Sequence, residues 1–388
     1  LLPFSFTHPV CELRIGIFTI RKKWESLLEE SINPLSVPYL QDKFTARYSG
    51  DNLLINASVL PDEQLKKEVI SLSPNEKLEK EGELVALRCD NAFFEELNKN
   101  YDPSGIEQKA SGFKRKGTEV ELSFLNNIWE IFQKNGYEIQ KDLKLLDIQG
   151  RTEYKENKVL GDSLYVDDEV EVNHSTINTE TGPVYIEKGA EVMEGSVIRG
   201  PFALLEGGVV KMSAKIYGPT TVGPYSKVGG ELNNCVIQGY SNKAHDGFLG
   251  NSVIGKWCNI GADTNNSNLK NNYSEVKIWD YETESQKNTG TKYCGLFMGD
   301  HSKCGINTMF NTGTVIGVSA NIFGGGFPQK FIPSFSWGGS HGFETFDIDK
   351  AFETAERMCA RRDVDFDEQD RSILRHVYKE SEKWRMEE

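Results

Sequence analysis

His245 lies in SNKAHDGFLGNSVIG, residues 241–255, with Lys243 and Asp246 beside it and mostly small or polar residues around it. An imidazole, with an ordinary pKa of about 6.5, takes a proton near neutrality, so a histidine in such a stretch is a candidate general base. Lys227, Lys243 and Lys211 are the nearby cations that could hold an anionic substrate group. The seven cysteines (Cys11, Cys89, Cys235, Cys258, Cys294, Cys304, Cys359) include no CxxC pair, and an odd count fits no closed disulfide framework. Reduced thiols are expected, with Cys258 a core residue and no nucleophile. A zinc site would need converging ligands, and His174, His245 and His301 show no close spacing.

Composition narrows the partners. A formal charge of -14 over 388 residues argues against general nucleic-acid binding, which needs a basic face. A few lysines can still make a local pocket for a small anion. No apolar run reaches the roughly 18 residues of a membrane span and no leader pattern opens the chain, so a cytoplasmic protein is expected. The sequence opens at Leu1, so a motif ahead of it would not be visible. The length suggests two domains.

What must position His245 is a repeat. From Ile186 an aliphatic residue recurs every sixth position: Ile186, Val192, Ile198, Leu204, Val210, Ile216, Val222, Val228. The period belongs neither to a helix nor to an alternating strand. Gly, Pro or Ser follows the aliphatic position, so each unit reads as a short strand and a tight corner. The count resumes at Ile254 and Ile260 and again at Met298, Cys304, Phe310, Ile316 and Ile322. Between these runs the expectation is two inserted loops, at 229–253 and 265–295.

This pattern resembles the hexapeptide-repeat family, whose resemblance implies a left-handed parallel β-helix with the aliphatic residues stacked inside. SNKAHDGFLGNSVIGKWCNIGADTNNSNL, with the preceding GPFALLEGG, is similar to the acetyltransferase half of the GlmU family. The matching residues are Ser241, His245, Phe248, Leu249, Gly250, Asn251, Asn259, Ile260, Gly261, Ala262, Thr264 and Asn268. The resemblance implies His245 as the general base. Asn259, Asn268, Phe248, Lys243 and Lys227 would then be substrate contacts, and Ala262 with Gly261 the acetyl-CoA contact. Phe248 stands where the family has tyrosine, and Asn268-Leu269 where it has Asn-Tyr.

The N-terminal part alternates apolar segments with helix signals: IGIFTI, then NLLINASVL, then ELVALRC, each followed by a charged helical stretch. That pattern suggests an open, mostly parallel sheet. LLPFSFTHPVCELRIGIFTI resembles the start of sugar-phosphate nucleotidyltransferases, with Arg14 as the nearest basic residue to the family's lysine. Asn56 fits the family's Asn-Gly-Asp strand, but Ser58 replaces the Mg²⁺-holding aspartate, leaving Asp62 as a substitute. ELSFLNNIWEIFQKN carries Phe124, Leu125, Ile128, Trp129, Ile131 and Phe132 at helical spacing. The segment 323–339 is expected to cap the solenoid, and Ile373, Leu374, Val377 and Tyr378 mark a tail helix.

The resulting fold expectation is an α/β nucleotidyltransferase-like, Rossmann-like N-terminal domain with linker helix (1–150), a left-handed β-helix acyltransferase domain (160–343) and a helical C-terminal tail (344–388). The resemblance implies UDP-N-acetylglucosamine synthesis by a homotrimer: acetylation of glucosamine 1-phosphate from acetyl-CoA, then uridylyl transfer from UTP with Mg²⁺. Two other readings stay open. One is a sugar-1-phosphate nucleotidyltransferase whose β-helix only oligomerises; the other is a non-catalytic trimeric binding protein.

Overall fold

The computed structural model describes residues 1–99, 101–146 and 148–385. Its contacts separate two compact units, one of Thr7–Leu13 and Phe18–Asn126, the other of Leu1–Phe6, Arg14–Ile17 and Asn127–Glu388. The division falls at 126/127 instead of 150, because the linker helix packs on the solenoid.

In the smaller unit Asp51–Ile55, Glu83–Asp90, Glu76–Lys80 and Lys114–Gly117 lie side by side in that order. The first and third pair antiparallel with Glu83–Asp90, and only Glu76–Lys80 with Lys114–Gly117 is parallel. The sheet is therefore mixed, not mostly parallel. The reason is a two-residue hairpin: Glu81 and Gly82 both take positive φ (53° and 93°), the geometry that folds a strand straight back. Helices Ile20–Leu28, Glu63–Ile70 and Asn91–Lys99 complete this α/β unit.

IGIFTI is apolar but forms no strand. Ile15 and Ile17 are buried, and Gly16 turns the chain at φ 77°. Its backbone donors are satisfied by side chains: Arg14 N by Gln238 Oε1 (2.7 Å), Gly16 N by Asn135 Oδ1 (2.8 Å) and Ile17 N by Asp142 Oδ2 (2.8 Å). All of these lie in the larger unit.

That unit is a parallel β-solenoid with a helical tail. One regular turn takes eighteen residues, as Ile198 pairs with Ile216 and Met298 with Ile316. None of the aliphatic residues from Ile186 to Val228 on the six-residue count is more than 2 % exposed, so they line the interior as the period requires. The coils begin earlier than Ile186, with strands Lys158–Leu160, Leu164–Val166 and Glu171–Val172.

The expected loop at 229–253 is not a loop. Glu231–Gly239 and Phe248–Lys256 are nine-residue strands that pair with each other and run through a corner without stopping. Asn234 and Asn251 make that corner in the left-handed region (φ 55° and 47°), which asparagine tolerates better than other side chains. Leu232, Ile237, Leu249 and Ile254 face inward at no more than 2 % exposure. The sixes fail because corners are shortened: Val228 pairs with Lys243, a turn of fifteen residues, and Lys243 takes an inward rung.

The second break is a true insertion. After Asn266, which pairs with Phe310, the chain leaves and returns at Leu296, carrying the antiparallel hairpin Lys277–Asp280 and Ser285–Asn288. At the far end Phe331–Ile332 and Ser336–Gly339 extend the parallel ladders within the expected cap, 323–339. Gly342–Thr345 then pairs antiparallel with Ser336–Gly339 and ends further parallel addition there.

Helix Glu130–Leu143 lies on the solenoid, with Ile131 and Phe132 buried; Phe124 is instead in a short strand beside Val59 in the other unit. The tail forms two helices, Ile348–Ala360 and Glu368–Glu380, the second burying Ile373, Leu374 and Val377. No helix among the described residues is long and apolar enough to cross a membrane.

Candidate active site

The corner that carries His245 recurs on each coil at the end of one solenoid face. Strands Lys227–Val228, Asn242–Lys243, Asn259–Ile260 and Lys303–Cys304 are stacked in register on that face. Ala244–Gly247 follows one of them and Gly261–Thr264 follows the next. Asp263 N donates to Asp246 O (3.0 Å) and Asn307 N to Ala262 O (2.8 Å), which places His245, Ala262 and Ile306 on successive coils of one edge. The structure thus brings His245, Gly261 and Ala262 together.

His245 is exposed, so its ring is accessible to a small molecule. Gly261 has a local reason: a Cβ there would meet the Gly305 carbonyl carbon and oxygen at 2.4 Å, so only glycine lets the coils close up beside Ala262. Among the described residues the Ala262 N–H meets no acceptor, which leaves it available to an incoming oxyanion.

On the adjoining flat face, Lys227 pairs with Asn242 and Asn242 with Asn259, so Lys227 and Asn259 line an outward ladder leading to the His245 corner. Burial and then Arg362, Lys211 and Arg361 push the Lys227 ammonium below its ordinary pKa, while Glu191 opposes them. Tail and coil cations therefore crowd one place. Arg361 and Arg362 follow helix Ile348–Ala360 and were missed in the sequence, where nothing in a charge-rich tail marks which charges return to the solenoid. Phe366 of the same turn lies edge-on to His301 (6.2 Å), the end of a ring ladder running Tyr225, Tyr240, Trp257, His301.

Other candidates are placed differently. Lys243 is 2 % exposed and lies inside the prism, so it cannot touch a substrate. Asn268 is the end of an asparagine ladder: its Nδ2 donates to Asn251 Oδ1 (2.7 Å), and Asn251 Nδ2 donates in turn to Asn234 Oδ1 (3.0 Å). That bond ties it to the tight corner at Asn251. Phe248 begins the strand after the His245 corner and lies half-buried over Gly250, where a Cβ would come within 2.5 Å of the Phe248 ring. Cys258 is a core residue whose thiol is raised well above its usual pKa by burial, and it donates to Gly299 O (3.2 Å).

The nucleotide candidates are also committed elsewhere. Arg14 belongs to the solenoid unit, where Gln238 bonds its N–H and its carbonyl and its guanidinium donates to Ile17 O. Asn56 closes a turn, donating to Leu84 O (2.9 Å) and accepting from Ser58 N and Oγ. Asp62 caps helix Glu63–Ile70 by accepting from Gln64 N and Leu65 N. These side chains do not fit a Mg²⁺ site, and among the described residues no three His, Cys, Asp or Glu converge on one.

A hexapeptide-type solenoid with an exposed histidine edge, joined to an α/β unit, defines the class. The model for the family described as sugar nucleotidyl transferase matches residues 1–151. The chain is 29 % identical over 147 residues to a bifunctional sugar-1-phosphate nucleotidylyltransferase/acetyltransferase of Sulfurisphaera tokodaii, covering 37 % of this chain and 36 % of that protein. It is 28 % identical over 225 residues to the bifunctional protein GlmU of Methanocaldococcus jannaschii (54 % and 45 %), and 25 % identical over 304 residues to that of Methanococcus aeolicus (71 % of each). The chain thus spans less than half the length of the first two. Among solved structures, an Arabidopsis UDP-N-acetylglucosamine acyltransferase matches 53 % of this chain and 76 % of its own at 16 % identity, with a TM-score of 0.24. The chain is thus similar, at modest identity, to GlmU-type bifunctional proteins, and its first 151 residues match the sugar nucleotidyl transferase model.

Proposed function

We propose that this protein is a sugar-phosphate transferase whose solenoid acetylates an amino-sugar phosphate from acetyl-CoA. The amine nitrogen attacks the thioester carbonyl carbon, His245 takes the amine proton, the carbonyl oxygen becomes an oxyanion near the Ala262 N–H, and the CoA thiolate leaves. The observation that carries this reading is the shared edge of His245, Gly261 and Ala262, one coil apart. Lys227, Lys211, Arg361 and Arg362 supply positive charge for the acceptor's phosphate. The resemblance to the GlmU family favours glucosamine 1-phosphate as acceptor, uridylyl transfer from UTP to the product and a homotrimer as the working assembly. The name of the Sulfurisphaera tokodaii relative supports the pairing of acetyl with sugar-1-phosphate nucleotidylyl transfer. The nucleotidyl step is supported by the family match at residues 1–151 and by that same name.

The test is acetyl transfer from acetyl-CoA to glucosamine 1-phosphate by the full chain and by His245→Ala. The substitution is expected to lower turnover by about 10²–10⁴-fold, the usual range for losing a general base or acid. Its melting temperature should stay at the wild-type value, because the side chain is exposed. A stable variant with full acetylation activity would remove His245 from the reaction.

A further inference from the structure

The inner wall of the solenoid carries a lysine where the pattern demands an aliphatic residue. Lys243 pairs with Val228, and Asn242 beside it pairs with Asn259, so Lys243 occupies the rung between Val228 and Ile260. Those neighbours are 0 % and 3 % exposed, and Lys243 itself 2 %. Lysine is almost never buried so completely without a partner, since taking an ammonium out of water is costly. Here the partner is not a carboxylate. Lys243 Nζ donates to the main-chain oxygen of His245 and to that of Asp246 (3.2 Å).

Those two carbonyls belong to consecutive peptide units on either side of the Asp246 Cα, in the corner that presents His245. Among the described residues, 244–247 form no backbone hydrogen bond within themselves and no other donor reaches the His245 oxygen, while Glu231 N donates to Gly247 O (3.1 Å) at the end of the corner. Asp246 O also accepts from Asp263 N (3.0 Å), which links the corner to the Ala262 coil. A methionine or leucine would fill the rung without desolvating a charge. What only a long cationic side chain supplies there is a pair of donors aimed from the interior at the backbone of an exposed turn.

We infer that Lys243 is a positioning residue, which grips the carbonyls of His245 and Asp246 from inside the solenoid and so fixes where the His245 ring stands relative to the Ala262 coil. The inference rests on His245 being the base of the proposed acetyl transfer, but the grip itself can be measured without activity.

Lys243→Met in the full chain keeps the length of the side chain and removes the donors. Hydrogen exchange of the amides bonded at the corner, Asp263 N to Asp246 O, Glu231 N to Gly247 O and Phe248 N to Asn265 Oδ1, is expected to quicken by about tenfold or more, with the remaining coils unchanged, since local opening is governed by local bonds. Turnover with acetyl-CoA and glucosamine 1-phosphate should fall by about 10²-fold, the scale of a misplacement near 1 Å, with KM for acetyl-CoA unchanged. Lys243→Gln, which retains one donor group, should lie between the two proteins in exchange, and it carries the comparison if the methionine variant does not fold. Unaltered exchange at the Asp263, Glu231 and Phe248 amides overturns the inference, as does quickened exchange with undiminished turnover. Faster exchange throughout the solenoid with a lower melting temperature also overturns it, by showing a lysine that only fills the core. Should His245→Ala retain full activity, the base assignment fails, and the exchange result still decides whether Lys243 holds the corner.

Discussion

At the scale of single residues, Lys243 joins the backbone of the His245 corner to the interior of the coil. Burial pushes its ammonium down to about 8, with Asp246, Cys304, Cys235 and Asp263 around it favouring the charged form. Below that pH both the folded and the unfolded chain hold the proton, so the burial penalty is present in full. Between about 8 and the unfolded value of about 10.4 the unfolded chain holds a proton that the folded one has lost, so this residue makes stability rise with pH. Lys243→Met removes both the penalty and its pH dependence. The variant is therefore expected to melt above wild type near neutrality, and its advantage should shrink as pH is raised from about 8 towards 10. Paired thermal melts across that range check the sign, with the titration of other groups common to both proteins. An advantage that grows with pH would show that Lys243 is not the group responsible.

At the scale of elements, the helix Glu130–Leu143 shows how packing reverses a propensity. Gly136 sits in its middle, where glycine usually costs about 0.5–1 kcal/mol relative to alanine. Here an alanine Cβ would stand 2.7 Å from Pro219 Cγ and 3.0 Å from Pro219 Cβ, with Pro201 Cγ at 3.7 Å. Proline rings have no rotamer into which to retreat, so overpacking of about 1–3 kcal/mol should outweigh the gain in helix propensity. Gly136→Ala is expected to lower the melting temperature, and a rise would mean that helix and coil can move apart. The sequence carried the apolar face of this helix but not the proline edges that require its glycine. The solenoid was legible in the same partial way: inward positions from Ile186 to Val228 follow from a period of six, whereas the shortened corners at Asn234 and Asn251 do not. A corner that loses one residue shifts every later rung, so a fixed count reads a continuous coil as an inserted loop. The His245 edge was legible because its residues follow one another along the chain. The cations Arg361 and Arg362 were not, because the return of the tail to Lys227 leaves no periodic trace.

At the scale of the whole molecule, the larger unit is assembled from both ends of the chain. Residues Arg14–Ile17 are held by Gln238, Asn135 and Asp142, partners more than a hundred positions away, and the Thr221 hydroxyl donates to Gly16 O (3.1 Å). An apolar segment bonded through its backbone to distant side chains looks like a strand in the sequence, which is why IGIFTI was read as one. Asn135 is 0 % exposed and Asp142 1 %. Cutting the chain at 126/127 would leave both without the backbone donors of Gly16 and Ile17, each lost hydrogen bond costing about 0.5–1.5 kcal/mol. A fragment of residues 127–388 is therefore expected to fold with its coils intact but to melt below the solenoid transition of the full chain. Hydrogen exchange should locate the loss in helix Glu130–Leu143 and at Gln238, not in the distant coils around Ile316. A fragment as stable as the solenoid in the full chain would mean that the N-terminal segment rests on the coils without supporting them, and that the two ends of the sequence fold as separable halves after all.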